Sequence, residues 1–499
     1  MLIFKRFRPQ DVDSFQEPYP ETGCPINRLN TEKIFSGCGD FKSREIPLGG
    51  GPVTVFVCWT EGTVAGADAG ELLLRPLTDP ARFAGVTSAE QAAERLEKGA
   101  VWGLDLRRTD DMRELTAAIS YGNCAVILPG TAFLCELKTP QSRSVQEPTI
   151  EKSVKGGKDA FVESLRVNTA LVRSRLRTPR LKLHTAVVGR KSRTDTAVLW
   201  IEGAADPALP REVIRRLEGL DVDGLLQPDI LDSGLSDCPR SPFPQLLHTE
   251  RPDRLAQALL DGRAAVLAEG IPLAFIAPGT LPEFMKTGED GAQHYIPATF
   301  LRILRWAALI LSLLLPALYI AISMYHAEMI PTELLLSVID SKQAVPFSST
   351  TEILGMLLAF DLLQEAGLRL PEPVGQTVSI IGALIVGQSA VTARVISPIA
   401  VIVVALAGIA GFTMPSQDLA AALRLSRFAM AVAAAAAGMF GIAAGFLLLL
   451  WHVCSLESFG RAYIPTGETR PVLPVRRPMP ARDRIRDPSI NGGDLRRRA

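Results

Sequence analysis

The chain has 499 residues, of which 47% are hydrophobic, and its 53 basic and 53 acidic residues give a formal net charge of 0. The net charge itself implies nothing about nucleic acid, but no segment combines a basic stripe with interleaved aromatic residues, which argues against a nucleic-acid-binding surface. The average conceals two unlike regions. Residues 1–299 carry charges throughout, whereas apolar runs of about 20 residues, long enough to cross a bilayer, extend from near Phe300 to near Val453.

The charged N-terminal region contains two similar stretches, which predict a duplicated α/β unit. VTVFVCWTEG contains Trp59, Glu61 and Gly62, and TAVLWIEG contains the same residue types 141 positions later. A helical pattern, a glycine and a further β-rich run follow each stretch. The N-terminal fold class is therefore predicted to be α/β with two related subdomains, and chance similarity of two short α/β units is the alternative. The expected boundaries are 1–39 for an N-terminal extension, 40–140 and 160–297 for the subdomains, and 141–159 for their linker.

No pattern in the sequence supports an enzymatic or metal site. The seven cysteines are spread out and never form CxxC, so we expect reduced thiols rather than a zinc site or a disulfide framework. The five histidines are isolated, and the phosphate-loop, zinc-protease and serine-hydrolase motifs do not occur. We therefore expect neither catalysis nor a cofactor, and we expect the N-terminal region to lie in the cytoplasm, where thiols stay reduced.

The region 298–458 is predicted to be an all-α transmembrane domain. Its first span is Trp306–Ile322, and the next helical pattern, Thr350–Gly367, contains three acidic residues. Each would cost about 2.5–3.5 kcal/mol at the centre of a bilayer, so this helix is expected to be interfacial or buried in protein. Either the acidic side chains lie in headgroups or water, or they form a vestibule that attracts cations. They are Glu352, Asp361 and Glu365.

The uncharged segment Pro373–Val391 is long enough to span the membrane but carries small and polar residues. At about 100° per residue, one helical face of this segment is narrow, small and weakly polar. This face either packs against neighbouring helices, with hydrogen bonds across the contact, or lines a pore together with the same face of other subunits. In the second case a gate would close by dewetting near Val386. The pore-lining candidates are Gln376, Ser379, Ala383, Val386, Gly387 and Ala390.

Two further spans, Val395–Met414 and Phe428–Cys454, complete the domain. The last span contains Gly438, Gly441 and Gly445, whose small size is predicted to let helix backbones pack closely. A span that is merely rich in alanine and glycine is the alternative.

The placement of arginine predicts four spans with both chain ends in the cytoplasm. Arg302 and Arg305 precede the first span, and many more arginines lie in the basic, Pro-rich tail at 459–499. Arg424 and Arg427 do not fit, because four spans place them outside. Five spans would place them inside but would export the tail.

Several collinear stretches between about residues 150 and 465 resemble the A subunits of GerA-type spore germination receptors. They include GGKDAFVESLRVNTALVRSRL from Gly156, SPFPQLLHTERPD from Ser241, EAGLRLPEPVGQTVSIIGALIVGQSAV from Glu365 and SFGRAYIP from Ser458. After VPF the family has a proline where this chain has Ser348, which leaves the detail of that loop open. A SpoVAF-type paralogue of the same family fits these motifs as well.

The resemblance implies a multi-pass protein of the spore inner membrane. Such A subunits act with a transporter-like B subunit, which is expected to bind the nutrient, and with a C-subunit lipoprotein. They are expected to form homo-oligomers, namely pentamers, that act as nutrient-gated cation channels and trigger germination. A non-conducting scaffold subunit is the main alternative. A secondary transporter fits less well, because the membrane region shows no repeat.

Overall fold

The computed structural model describes residues 24–101, 106–137, 148, 151, 156–343, 345–369 and 385–465. These residues form two compact units. The first unit contains residues of 24–239 and 246–278, and the second contains residues of 240–245 and 279–465. The first unit is built on two β-sheets and the second on long helices. The predicted fold class, an α/β N-terminal region followed by an all-α region, is thereby confirmed.

The first unit contains two five-stranded antiparallel sheets. The strands of the first sheet are β1 (Phe41–Pro47), β2 (Thr54–Thr60), β3 (Leu106–Thr109), β4 (Cys124–Leu128) and β5 (Thr131–Cys135). Those of the second sheet are β6 (Leu181–Val188), β7 (Thr194–Ile201), β8 (Leu247–Thr249), β9 (Ala264–Ala268) and β10 (Ile271–Ala277). Their spatial orders are β1-β2-β4-β5-β3 and β6-β7-β9-β10-β8. The two orders are equivalent, as the duplication predicts.

The helices of the first unit recur at similar points of the two halves, although three of them lie between β2 and β3 and only two between β7 and β8. They are α1 (Arg28–Ile34), α2 (Gly66–Asp68), α3 (Arg75–Thr78), α4 (Ala89–Glu97), α5 (Met112–Ser120), α6 (Leu165–Arg175), α7 (Ala208–Glu218), α8 (Pro228–Leu235) and α9 (Pro252–Leu260). A π-helical turn, Ala69–Leu74, joins α2 to α3. In chain order α5 lies between β3 and β4, and α9 lies between β8 and β9. Both helices are followed by a glycine with positive φ, Gly122 at +94° and Gly262 at +82°, a conformation that glycine adopts readily.

The first sheet is buried on both faces. In β2, Val55 and Val57 pack into one hydrophobic core, whereas Phe56 and Cys58 pack into another. This alternation follows from the strand itself, because successive side chains point to opposite faces of a sheet. An almost continuous apolar run such as VFVC is therefore the expected sequence of a central strand.

The repeated Trp-x-Glu-Gly stretch has the same structural role in both subdomains. Trp59 on β2 lies opposite Lys42 on β1, and Trp200 on β7 lies opposite Lys182 on β6. In each copy the lysine Nζ approaches the glutamate two positions after the tryptophan, at 3.5 Å in the first copy and 3.3 Å in the second. The stretch thus joins the first two strands of each sheet through an ion pair.

The second unit is a helical assembly. Its helices are α10 (Leu281–Phe284), α11 (Tyr295–Tyr325), α12 (Thr332–Lys342), α13 (Ser349–Arg369), α14 (Ala390–Thr392), α15 (Pro398–Phe412) and α16 (Gln417–Ser455). Side chains of α11, α13, α15 and α16 share one hydrophobic core. Two described helices, α11 and α16, are long and apolar enough to cross a membrane, and α15 is a shorter apolar helix. The predicted spans Trp306–Ile322 and Phe428–Cys454 lie within α11 and α16.

A short hairpin of β11 (Glu457–Ser458) and β12 (Arg461–Ala462) follows α16. The Ser458 hydroxyl donates a hydrogen bond of 2.8 Å to the Gln245 carbonyl. The Leu281 amide donates one of 3.0 Å to the carbonyl of Tyr463, which is fully buried. These bonds fold the end of the helical unit onto 240–245 and onto the start of α10.

Candidate functional site

The described residues contain part of the predicted pore-lining face. The candidates that lie outside them are Gln376, Ser379 and Ala383. The described chain resumes in a π-helical turn, Ile385–Ser389, which contains Val386 and Gly387 and leads into α14. Gly387 and Ala390 are half-buried, and a β-carbon on Gly387 would lie 4.0 Å from Cγ1 of Val401 on α15. The assignment of this face to a pore stays a prediction.

Glu352, one of the three vestibule candidates, caps a neighbouring helix. Its side chain is buried, and its Oε2 accepts hydrogen bonds from the Ser397 amide at 3.1 Å and the Ser397 hydroxyl at 2.6 Å. Ser397 is the N-cap of α15, where unpaired amides favour a negative charge. The other carboxylate oxygen, Oε1, is buried and has no hydrogen-bond partner among the described residues. In this structure Glu352 therefore anchors α13 to the start of α15.

Asp361, the second candidate, forms an ion pair with Arg427 of α16. Arg427 Nη2 lies 2.9 Å from Asp361 Oδ1, and the arginine side chain is only 3% exposed. A charged side chain in a helical membrane domain is costly unless it is paired. The pair explains how both α13 and α16 can carry a charge here. The partners are 66 positions apart, so in the sequence they appear as two unrelated charged residues.

The three acidic residues of α13 do not converge. Glu352 and Asp361 are nine positions apart, which is about 14 Å along a helix, and they contact different helices. Glu365 is exposed. No group of three or more His, Cys, Asp or Glu side chains that could hold a metal ion occurs within the described ranges. A cation vestibule built from all three acids stays a prediction, and the described contacts give two of them structural partners.

A buried carboxylate holds the start of α11, a feature that the sequence analysis did not predict. Arg302 Nε lies 3.0 Å from Asp290 Oδ2, and Arg305 reaches both oxygens of Asp290 at 2.8 Å. The Thr287 hydroxyl donates to the same carboxylate at 2.8 Å. Burial alone would raise the pKa of Asp290, but the hydrogen bonds from Arg305, Thr287 and Arg302 outweigh it and lower that pKa to about 2. The two arginines, which in the sequence indicate only topology, fix the first long helix to the turn before it.

Two of the stretches that carry the family resemblance meet in the second unit. Ser241, the first residue of SPFPQLLHTERPD, lies 3.0 Å from His452 Nε2 near the end of α16. Gln245 accepts the hydrogen bond from Ser458, the first residue of SFGRAYIP. The segment Arg240–Gln245 continues directly into Leu247 at the start of β8. The segment Arg240–Gln245, which is hydrogen bonded to His452 and Ser458, is therefore followed directly in the chain by β8 of the β-sheet region.

Of the three glycines predicted for helix packing, Gly438 lies in a break in α16, and Gly441 and Gly445 follow the break. Ala437 and Gly438 have non-helical backbone angles, with φ of −142° and +56°. A β-carbon on Gly438 would lie 3.0 Å from the ring of Tyr325 on α11, and one on Gly441 would lie 2.0 Å from the Ala433 carbonyl oxygen. Both glycines therefore permit approaches that a larger residue would block. The break itself was not predicted, because the glycines were interpreted as packing positions within one continuous span, although glycine also has a low helix propensity.

Comparison with known proteins gives consistent matches. The model of a family described as Bacillus/Clostridium GerA spore germination protein matches residues 30–479. Among relatives from Bacillus subtilis (strain 168), the uncharacterized membrane protein YfkQ is 36% identical over 444 residues, which are 88% of this chain and 85% of that protein. Spore germination protein KA is 36% identical over 442 residues, which are 88% of this chain and 80% of that protein.

A solved structure also matches the N-terminal region. It is the crystal structure of the N-terminal domain of the A subunit of the Bacillus megaterium spore germinant receptor GerK3. The match has 26% sequence identity and a TM-score of 0.41, and it covers 52% of this chain and 97% of that chain.

Proposed function

Because this chain belongs to the GerA family of spore germination proteins, we propose that it is a membrane subunit of a spore germinant receptor and acts in spore germination. Its place is the spore inner membrane, with the N-terminal region and the C-terminal tail on the cytoplasmic side. A transporter-like B subunit would bind the nutrient, and a C-subunit lipoprotein would complete the receptor.

In this proposal several copies of the chain assemble into a homo-oligomer, such as a pentamer, that conducts cations. The observation that carries it is the sequence of Pro373–Val391, which is uncharged and yet presents one small, weakly polar face. The contacts of α13 favour this face over the acidic residues of α13 as the pore lining, because the carboxylates of Glu352 and Asp361 already bind Ser397 and Arg427. The pore lining is then the weakly polar face of Pro373–Val391.

The nutrient signal would reach the pore through the helical unit. Arg240–Gln245 continues into β8 and is hydrogen bonded to the hairpin after α16. A displacement of the β-sheet region would therefore pull on the end of α16, whose core contacts include α11, α13 and α15.

Ion flux from the purified full chain in liposomes tests the channel. Val386→Ala should increase spontaneous potassium efflux, because a smaller side chain weakens a gate that closes by dewetting. Ala383→Leu should reduce efflux by narrowing the same face. Ile402→Ala is the matched control, because Ile402 is an exposed apolar residue of α15 and should leave the flux unchanged.

The same measurements separate the channel from a non-conducting scaffold. If oligomers of the wild-type chain carry no flux, or if changes along the face lower only the amount of folded protein, the face serves helix packing and the channel proposal fails. Normal receptor assembly without flux would then favour the scaffold.

A further inference from the structure

The break in α16 lies where the local sequence favours an unbroken helix. It follows five consecutive alanines, 433–437, and alanine has the highest helix propensity of all residues. No proline occurs within α16. Glycine adopts the positive φ of Gly438 readily, so the break is permitted locally, and contacts with other parts of the unit decide between the broken and the continuous helix.

The break reverses the direction of the chain. A β-carbon on Gly445 would lie 3.5 Å from the β-carbon of Ala433 and 3.0 Å from Sδ of Met430. In a continuous helix, residues 433 and 445 would be separated by about 18 Å along the axis. The limbs 417–436 and 439–455 therefore fold back on each other, and Gly441 and Gly445 allow their close approach.

One side chain of α11 closes the bend. The Tyr325 hydroxyl donates a hydrogen bond of 2.6 Å to the Ala435 carbonyl, and its ring lies against Gly438. Carbonyls in the last turn of a helix lack the amide four residues further on, so the bend leaves acceptors of this kind and Tyr325 uses one. An unbroken helix would occupy the same carbonyl with its own backbone. The hydrogen bond therefore favours the folded state over the continuous helix.

We propose that Ala437–Gly438 is a conformational hinge and that the Tyr325 hydroxyl is the latch that holds its folded state. Loss of the latch lets the two limbs separate towards a continuous helix. A gating role for this motion rests on the proposed channel function, whereas the hinge itself does not. The motion moves the end of α16, which carries His452 and the hairpin that binds 240–245.

A disulfide tests the folded state directly. Ala433→Cys combined with Gly445→Cys places two β-carbons about 3.5 Å apart, within the range of a disulfide. The full chain in native membranes, treated with a mild oxidant, should form this bond, as identified by mass spectrometry among the native cysteines. Ile303→Cys with Leu315→Cys in α11 has the same sequence separation in a continuous helix and should form none. Failure of the 433–445 disulfide would overturn the hinge.

Two additional changes in the 433–445 background test the latch. Tyr325→Phe removes only the hydroxyl and should slow disulfide formation by about two- to tenfold, the effect of one hydrogen bond on an equilibrium. Gly438→Ala introduces a side chain at a φ of +56° and against the Tyr325 ring, and should slow it further. Tyr319→Phe is the control on the same helix and should have no effect. An unchanged rate in Tyr325→Phe would overturn the latch.

Ion flux in liposomes then tests the gating role. Oxidised 433–445 protein should conduct less than the same protein after reduction, because the disulfide prevents separation of the limbs. Equal flux in the two states would overturn the gating role. If neither state conducts, the proposed channel function fails, while the disulfide rates still decide the hinge and the latch.

Discussion

Asp40 and Arg173 form a buried ion pair that joins the two subdomains of the first unit. Arg173 Nε and Nη2 donate to the two carboxylate oxygens of Asp40 at 2.9 and 2.7 Å. Its Nη1 donates to the carbonyls of Thr178 and Leu181. The side chains are only 3% and 7% exposed. Asp40→Asn would therefore leave a desolvated guanidinium without its counter-charge.

We expect Asp40→Asn to lower the free energy of unfolding of the first unit by about 3–5 kcal/mol, the usual effect of removing one partner of a buried pair. With a urea m-value of about 3 kcal/mol/M, the midpoint of unfolding should fall by about 1–1.7 M. The control is Asp221→Asn, which removes an ion pair with Arg190 whose two side chains are each 69% exposed. That change should cost less than about 1 kcal/mol.

The assay is urea unfolding of the full chain in detergent, followed by a short protease pulse that degrades only unfolded chains. The surviving fragment of the first unit measures its folded fraction. The double variant Asp40→Leu/Arg173→Met removes both charges, and we expect it to recover at least half of the loss. A loss below about 1 kcal/mol for Asp40→Asn would refute the reasoning, as would a double variant whose loss equals the sum of the losses of Asp40→Leu and Arg173→Met measured singly.

Three further predictions concern thiols, the helical core and acid. Burial raises the pKa of Cys124 to about 12, so a water-soluble maleimide near neutral pH should label the exposed Cys238 in native protein but Cys124 only after denaturation, as mapped by mass spectrometry. Asp361→Asn strands the buried Arg427 and should cost about 3 kcal/mol, seen as a lower thermal midpoint in detergent, whereas Asp361→Leu/Arg427→Met should recover most of it. The pKa of Asp290 is about 2 in the folded state, below its ordinary 3.8, so its contribution to stability is complete above about pH 4 and is lost as the pH falls towards 2. Asp290→Asn should remove that part of the acid dependence, and a wild-type-like acid profile in this variant would contradict the assignment.

The two sheets could be predicted from the sequence because their signals are local and repeated. Glycines at the ends of α5 and α9 and the Trp-x-Glu-Gly stretches recur at nearly constant spacing, and repetition separates them from chance. The spacing could not show why the motif recurs. That depends on Lys42 and Lys182, which come opposite the tryptophans only when the strands pair in their observed register.

The helical unit was predicted less completely because its defining contacts are distant in sequence. In the sequence, Asp361 is an acidic residue that would be costly in a bilayer, and Arg427 is an arginine that does not fit the four-span topology. Their ion pair in the folded chain explains both. The break at Gly438 had only a weak local signal, since the alanine run before it favours a continuous helix and the glycine alone disfavours one.

Because α16 turns back at Gly438, residues 417 and 455 lie at the same end of a pair of limbs. If both limbs cross the bilayer, or if both turn back within it, Arg424 near the start of α16 and the chain that leaves Ser455 face the same aqueous compartment. A last helix that crossed once would separate them, which was the conflict in the four-span prediction. The reversal puts Arg424, Arg427 and the tail on one side of the membrane, and that side is the cytoplasm only if two spans, rather than the three counted from the sequence, precede α16. Accessibility tags placed at residue 415 and after residue 465 should be modified from the same side of sealed vesicles.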